Sequence, residues 1–273
     1  LGLYEQIQEA TQAINKLSGF KPTTGLITGT GLGELSREME VHARIPYADI
    51  PHFAQSTVEG HAGELLLGYL NNHPIAVLSG RFHYYEGWNM QEITFPVRVL
   101  KYLGVSQLIV TNVSGGINPH LNAGDIVVVK DHIYLFPDNP LRGPNDERIG
   151  PRFPDLSVVY DPEMRKAIVK IAAAHHISAV EGIYSALPGP NLETPAEYAM
   201  LRNLGSDCTG MSSLPEVLAA RHMNLPVLLL SLVVNVAFPP SRIRETTLEE
   251  VIQVANEAAP KLRNLITEFL RLP

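Results

Sequence analysis

Short apolar runs alternating with amphipathic segments from one end of the chain to the other constrain its fold more than any other feature. Thr24 to Thr28, Glu64 to Tyr69, Pro74 to Ser79, Gln107 to Val113, Asp125 to Lys130, Glu181 to Ala186 and Pro226 to Val234 read as strands. Asn71-Asn72 predicts a hairpin turn whose second strand delivers Arg81, Phe82 and His83 to its end. Ile93, Val97, Leu100 and Leu103 recur at helical spacing before Gly104, and Asp161 to His175 predicts another helix. Thr194-Pro195-Ala196-Glu197, Ser213-Leu214-Pro215-Glu216 and Thr247-Leu248-Glu249-Glu250 each carry the capping-box pattern, so a helix is expected to start at each. With no linker and no internal repeat, the pattern implies a single α/β domain over residues 1–273.

Composition removes several function classes. The 273 residues hold 21 Lys and Arg against 28 Asp and Glu, a formal net charge of −7, and no basic block interleaves with aromatics. A nucleic-acid partner is therefore not expected. The longest apolar stretch, Val227 to Phe238, is broken by Ser231 and Asn235 and falls short of the about 20 residues that cross a bilayer, so no membrane role is expected. No basic segment followed by an apolar run opens the chain, which sets the expectation of a cytoplasmic location. Cys208 is the sole cysteine, and neither the adjacent His175-His176 pair nor His83 with Glu86 has the spacing of metal ligands. No metal is expected.

The loops carry the chemistry. Gly29-Thr30-Gly31-Leu32-Gly33 lies between a strand and the helical spacing of Leu32 and Leu35, where backbone N–H groups can hold an anion. Glu34 breaks the dinucleotide fingerprint, and on this motif by itself a purely structural tight turn is the plainer reading. In Gly80-Arg81-Phe82-His83-Tyr84-Tyr85-Glu86-Gly87, an extended stretch points Arg81, His83 and Tyr85 to one face, where guanidinium and imidazole suit a phosphate. The alternative is a structural pair of Arg81 with Glu86. Thr111-Asn112-Val113-Ser114-Gly115-Gly116 breaks a strand with small residues, and Ser212 precedes the cap at Ser213. Glu193 stands just before the cap at Thr194, where backbone N–H groups are expected to keep it ionised and acceptor-only; complementing the helix dipole is its plain alternative. Asn235 interrupts an apolar strand end, where a buried amide without partners costs about 1 to 3 kcal/mol, unless it forms a strand-ending Asx turn. Phe136 to Pro154, rich in Pro, Gly and Asn, reads as a long ordered excursion.

Taken together and in order, these segments resemble the trimeric purine nucleoside phosphorylases. The resemblance rests on GTGLG at 29–33, STVEGHAGEL at 56–65, GRFHYYEG at 80–87, FPVRVLKYLGV at 95–105, TNVSGG at 111–116, NPLRGPNDERIGPRFP at 139–154, GPNLETPAE at 189–197, GMSSLPEVLAARH at 210–222 and Asn235. It implies a mixed central sheet flanked by helices and a phosphate-dependent cleavage of 6-oxopurine nucleosides such as inosine and guanosine to free base and pentose 1-phosphate. It implies a homotrimer with no cofactor, phosphate being a co-substrate. Phosphate would be held by Thr30, His61, Arg81, His83, Ser212 and the backbone N–H of Val113. The purine would meet Glu193, Asn235 and Leu192. Tyr85, Met211, Leu248 and Phe153 from the neighbouring subunit would line the sugar. Catalysis would rest on Asn235, Glu193 and His83, with the Asn235 amide donating to N7 or O6 and Glu193 accepting from N1–H.

Departures from the family pattern shape the rival readings. Val234 replaces the usual Thr before the base-binding Asn, Leu192 replaces an aromatic, and Leu248 stands where relatives often carry a histidine facing the sugar 5′-hydroxyl. An apolar residue there fits a 5′-methylthio nucleoside phosphorylase acting on methylthioinosine or methylthioadenosine. A nucleosidase using water, with Arg81 and His83 structural, and a binding module without turnover are the further alternatives.

Overall fold

The computed structural model describes residues 1–29, 38–55 and 63–272. Among them the chain forms α1 (Leu3–Ser18), β1 (Thr24–Thr28), β2 (Glu40–Pro46), β3 (Glu64–Leu70), β4 (His73–Ser79), α2 (Met90–Leu103), β5 (Gln107–Gly116) and β6 (Ile126–Tyr134). There follow α3 (Pro162–Ala174), β7 (Ala179–Ala186), α4 (Pro195–Asn203), β8 (Cys208–Gly210), α5 (Leu214–His222), β9 (Val227–Val236) and α6 (Leu248–Phe269). The α/β class and the mixed sheet are as expected. The helix anticipated after the glycine-rich turn at 29–33 falls outside the described residues.

The strands form one nine-stranded sheet in the order β2-β3-β4-β1-β5-β8-β7-β6-β9. A further parallel pairing of β5 with β9 brings the last strand back to the middle, so β5, β8, β7, β6 and β9 close into a ring. β1 lies parallel to both β4 and β5, while β2, β3 and β4 run as an antiparallel wing. Asn71 and Asn72 both take positive φ, 52° and 62°, giving the β3–β4 hairpin the left-handed turn that its sequence predicts.

Several boundaries move for tertiary reasons. β5 does not break at Ser114-Gly115-Gly116 but continues to Gly116, because these glycines pair with β8 on one side and β9 on the other. β2 has no clean alternation and is largely exposed at the sheet edge, so nothing in its sequence marks it as a strand. α1 buries Ile7, Ala10, Thr11 and Ile14 on one face. α6 buries Ala255, Leu262, Ile266 and Phe269, while Ile252 is 39% exposed. The capping boxes at Thr194 and Thr247 form as read.

The third box does not form. Ser213 stands at the N-cap of α5 with φ 74° and makes no side-chain cap bond. Almost every side chain of this helix is buried, including Glu216 and His222. Its N-terminus is therefore built around something other than its own backbone.

Candidate active site

The ends of β1, β4, β5 and β9, all parallel to one another along the sheet, meet the loops where chemistry was expected. Ligands of open α/β sheets collect at this carboxyl edge. Arg81, just past β4, is 4% exposed. Its Nη1 donates to Ser212 Oγ at 2.9 Å and Ser213 Oγ at 2.7 Å, and its Nη2 donates to the Thr111 carbonyl at 2.6 Å. The Glu216 carboxylate lies 3.8 Å from Nε, and both its oxygens are buried without a hydrogen-bond donor. Ser213 thus serves as a bracket for the guanidinium and also accepts from Asn112 Nδ2 at 2.9 Å. Because Ser212 accepts from Arg81, its own hydroxyl hydrogen is left to point elsewhere, which suits an anion.

The alternative pairing of Arg81 with Glu86 is not what forms. Glu86 accepts from the backbone N–H of His83 at 2.7 Å and lies 2.9 Å from His83 Nδ1. A carboxylate there fixes Nδ1 as the protonated nitrogen. Nor does the segment alternate as an extended strand. Residues Tyr84–Glu86 form a short 3-10 turn, and this stacks the Tyr85 ring on His83 with centroids 4.7 Å apart. Burial, with the neighbouring Glu86 charge, pushes the Tyr85 hydroxyl up to about 12, so it stays protonated as a donor. Gly189 adjoins this stack with φ 65°; a Cβ there would stand 2.4 Å from Met211 Sδ and 3.3 Å from Tyr85 Cδ1. The structure thereby brings the two candidate sugar residues Tyr85 and Met211 together.

Glu193, Thr209, Tyr198 and Asn235 make a second polar group. Thr209 Oγ1 donates to Glu193 Oε1 at 3.2 Å. The Tyr198 side chain lies close to both Glu193 and the Asn235 amide and interacts with each. At Gly115 a Cβ would come within 3.2 Å of Asn235 Oδ1, so the amide packs tightly against the backbone of β5. The backbone N–H bond expected at Glu193 forms, but it does not dominate the titration of this carboxyl group. Burial outweighs the bonds from its own N–H, Tyr198 and Thr209 and pushes its pKa above the usual glutamate value. The β5–β8 pairing sets Gly115 beside Thr209, so this group and the Arg81 bracket share one strand end.

Val113 sits inside β5 in register with Leu232. Leu192 and Leu248 are 49% and 66% exposed, and Phe153, in the long loop, is 87% exposed. Thr30 and His61 lie outside the described residues. Ser213, Glu216, Asn112 and Tyr198 were not marked as site residues by sequence. For Ser213 and Glu216 the signal was present but had a local explanation as a cap; for Tyr198 nothing in the sequence distinguishes it from a core aromatic.

Known proteins match this chain along most of its length. A family model described as the phosphorylase superfamily matches residues 23–271. Purine nucleoside phosphorylase 1 of Geobacillus stearothermophilus is 48% identical over 231 residues, covering 85% of this chain and 84% of that protein. The purine nucleoside phosphorylase of Rattus norvegicus is 41% identical over 270 residues, covering 97% and 93%. Among solved structures, schistosoma purine nucleoside phosphorylase in complex with hypoxanthine superposes with a TM-score of 0.93 at 39% identity, covering 98% of both chains. Isoform 2 of the Schistosoma mansoni enzyme, in complex with cytosine and ribose-1-phosphate, superposes with a TM-score of 0.92 at 41% identity, covering 99% of this chain and 97% of that one.

Proposed function

The chain belongs to the phosphorylase superfamily, among its purine nucleoside phosphorylases, and on that premise we propose how its residues divide the work of cleaving 6-oxopurine nucleosides with phosphate. The observation that carries this assignment is the buried Arg81, bracketed by Ser212, Ser213 and the Thr111 carbonyl beside the His83–Glu86 pair. A cation so held at a strand edge is built to receive an anion.

A ribosyl bond breaks through an oxocarbenium-like state. A phosphate oxygen forms the new bond to C1′ while the bond from C1′ to the purine nitrogen breaks, and its electron pair leaves with the base. Arg81, His83 and Ser212, with Thr30, His61 and the Val113 N–H, hold the phosphate below the sugar. The Asn235 amide donates to the departing ring at N7 or O6, and ionised Glu193 accepts from N1–H. Tyr85 and Met211 line the sugar, with Leu192 beside the base. Tyr198 stands beside both the acceptor and the donor end of the base site.

The functional unit we infer is a homotrimer of single-domain chains spanning residues 1–273, in which Phe153 reaches the sugar of the neighbouring subunit. It works in the cytoplasm without metal or organic cofactor. Among the described residues no helix is long and apolar enough to cross a membrane. A 5′-methylthio nucleoside phosphorylase remains the second reading, motivated by the exposed apolar Leu248 at the first turn of α6. Base release from inosine, guanosine, adenosine and their 5′-methylthio analogues, with and without phosphate, tests the assignment. Release from inosine only when phosphate is present supports it. Equal release after phosphate is scavenged makes the protein a nucleosidase and removes the role given to Arg81.

A further inference from the structure

The two ends of α5 touch different things. At its N-terminus Ser213 brackets Arg81. At its C-terminus His222, 5% exposed, lies between Arg98 of α2 and Asn145 of the long loop. Arg98 Nη1 approaches His222 Nδ1 at 3.3 Å, and His222 Nε2 approaches Asn145 Oδ1 at 3.2 Å. A guanidinium can only donate, so Nδ1 must be the acceptor, the proton must sit on Nε2, and Asn145 Oδ1 receives it. The direction of the whole relay follows from Arg98 alone. Burial and the Arg98 charge both push the His222 pKa below its usual value, which favours this neutral form.

The relay continues into the loop that carries Phe153. Asn145 Nδ2 donates onward to the Gly150 carbonyl at 3.0 Å and to Glu147 Oε1 at 3.0 Å. The Gly150 backbone lies so close to α5 that a Cβ would stand 2.0 Å from the His222 carbonyl oxygen. Other ties on this loop are weaker in kind. Arg148 bonds Asp146 and Glu5 with its side chain 52% exposed, where ion pairs are screened. Arg152 bonds the carbonyls of Leu141 and Gly143, which belong to the same loop. His222 provides the buried polar tie between the loop and the helix that also holds Arg81.

We propose that His222 is a positioning residue for nucleoside binding, acting through Asn145 and Gly150 to fix the direction in which Phe153 projects. The inference rests on the reading that Phe153 serves the sugar site of a neighbouring subunit. His222 touches no substrate in this account. Its effect is confined to nucleoside binding by way of the loop, and phosphate recognition at the far end of the nine-residue helix is left intact.

Steady-state kinetics of the full-length protein with inosine and phosphate tests this with Phe153→Ala, His222→Asn, Asn145→Ala and the double variant Phe153→Ala with His222→Asn. Asparagine keeps an acceptor for Arg98 and loses the reach to Asn145, while Asn145→Ala opens the same link from the exposed side should the helix variant fail to fold. Displacement of a positioned group by about 1 Å can cost as much as a hundredfold. The expected result is a rise of about tenfold in the KM for inosine for each single variant, within that range, with kcat and the phosphate KM changed less than about twofold. The double variant is expected to be no worse than Phe153→Ala, since residues acting in series are not additive. Additive losses, or a fall in kcat or phosphate affinity matching the inosine effect, overturn the role of His222. An unchanged inosine KM in Phe153→Ala overturns instead the reading of Phe153, and the inference falls with it.

Discussion

The Ser213 hydroxyl lies 2.7 Å from Nη1 of Arg81 although 132 residues separate them, and its backbone takes φ 74° to place it there. A serine in the left-handed region is uncommon, and such conformations persist where surrounding contacts over-determine them. Here the contacts are Arg81 on one side and the Asn112 amide on the other.

Removing that hydroxyl is expected to weaken phosphate use without abolishing it. Ser213→Gly suits φ 74° but deletes the acceptor of two buried donors, which costs about 1 to 3 kcal/mol. Arg81→Ala is expected to be worse, about 2 to 5 kcal/mol in transition-state binding, because it removes the buried cation itself. Phosphate KM and kcat/KM for both variants check the order. A Ser213→Gly enzyme with wild-type phosphate KM would show that the bracket is not needed to present Arg81.

At the base site, Asn235→Asp is expected to shift preference from inosine toward adenosine, since a carboxyl group can donate to N7 when protonated and accept from a 6-amino group when ionised. Glu193→Ala is expected to reduce use of all 6-oxopurines. Relative kcat/KM for inosine and adenosine measures both effects. Adenosine as the best substrate of the unaltered protein would contradict the assignment.

Leu248, 66% exposed at the start of α6, offers no hydrogen bond to a sugar 5′-hydroxyl. Weak discrimination between inosine and 5′-deoxyinosine is therefore expected, and an added methylthio group gains about 1 to 2 kcal/mol if Leu248 covers it. A loss of about a hundredfold or more in kcat/KM for the deoxy compound would place a polar partner at that position.

Phe153, 87% exposed within a loop tied to α1, α2 and α5, is expected to be covered on assembly. Sedimentation should give the mass of three 30.0-kDa chains, and a fully active monomer would remove the basis for that contact.

Stability is expected to fall as the pH drops below about 6.5. Burial lowers the pKa of His73, His132 and His222 from 6.5, so the unfolded chain takes up protons first. Their contribution is complete above that value and is lost as the pH falls toward the native pKa. Glu193, raised from 4.5, acts with the opposite sign in the window just above that value. Tm measured from about pH 8 down to pH 5 checks the slope, and a Tm that is flat or rises on acidification contradicts it.

Local patterns in the sequence determined the alternation of strands and helices, the Asn71-Asn72 turn, and the caps at Thr194 and Thr247. Each depends on contacts within a few residues, so composition and spacing alone express it. The motif segments also marked Arg81, His83, Glu193 and Asn235 as candidate site residues. What they touch was decided by the tertiary structure. Ser213-Leu214-Pro215-Glu216 satisfies every local rule for a cap, yet its serine and glutamate turn to Arg81, because leaving a buried guanidinium without partners costs more than leaving helix N–H groups to other acceptors. Likewise Glu193 and Asn235 come together beside Tyr198 because the ring of strands brings β8 and β9 to the two sides of β5. Such contacts join positions far apart in the chain, and their existence follows from the closure of the sheet rather than from any short stretch of sequence.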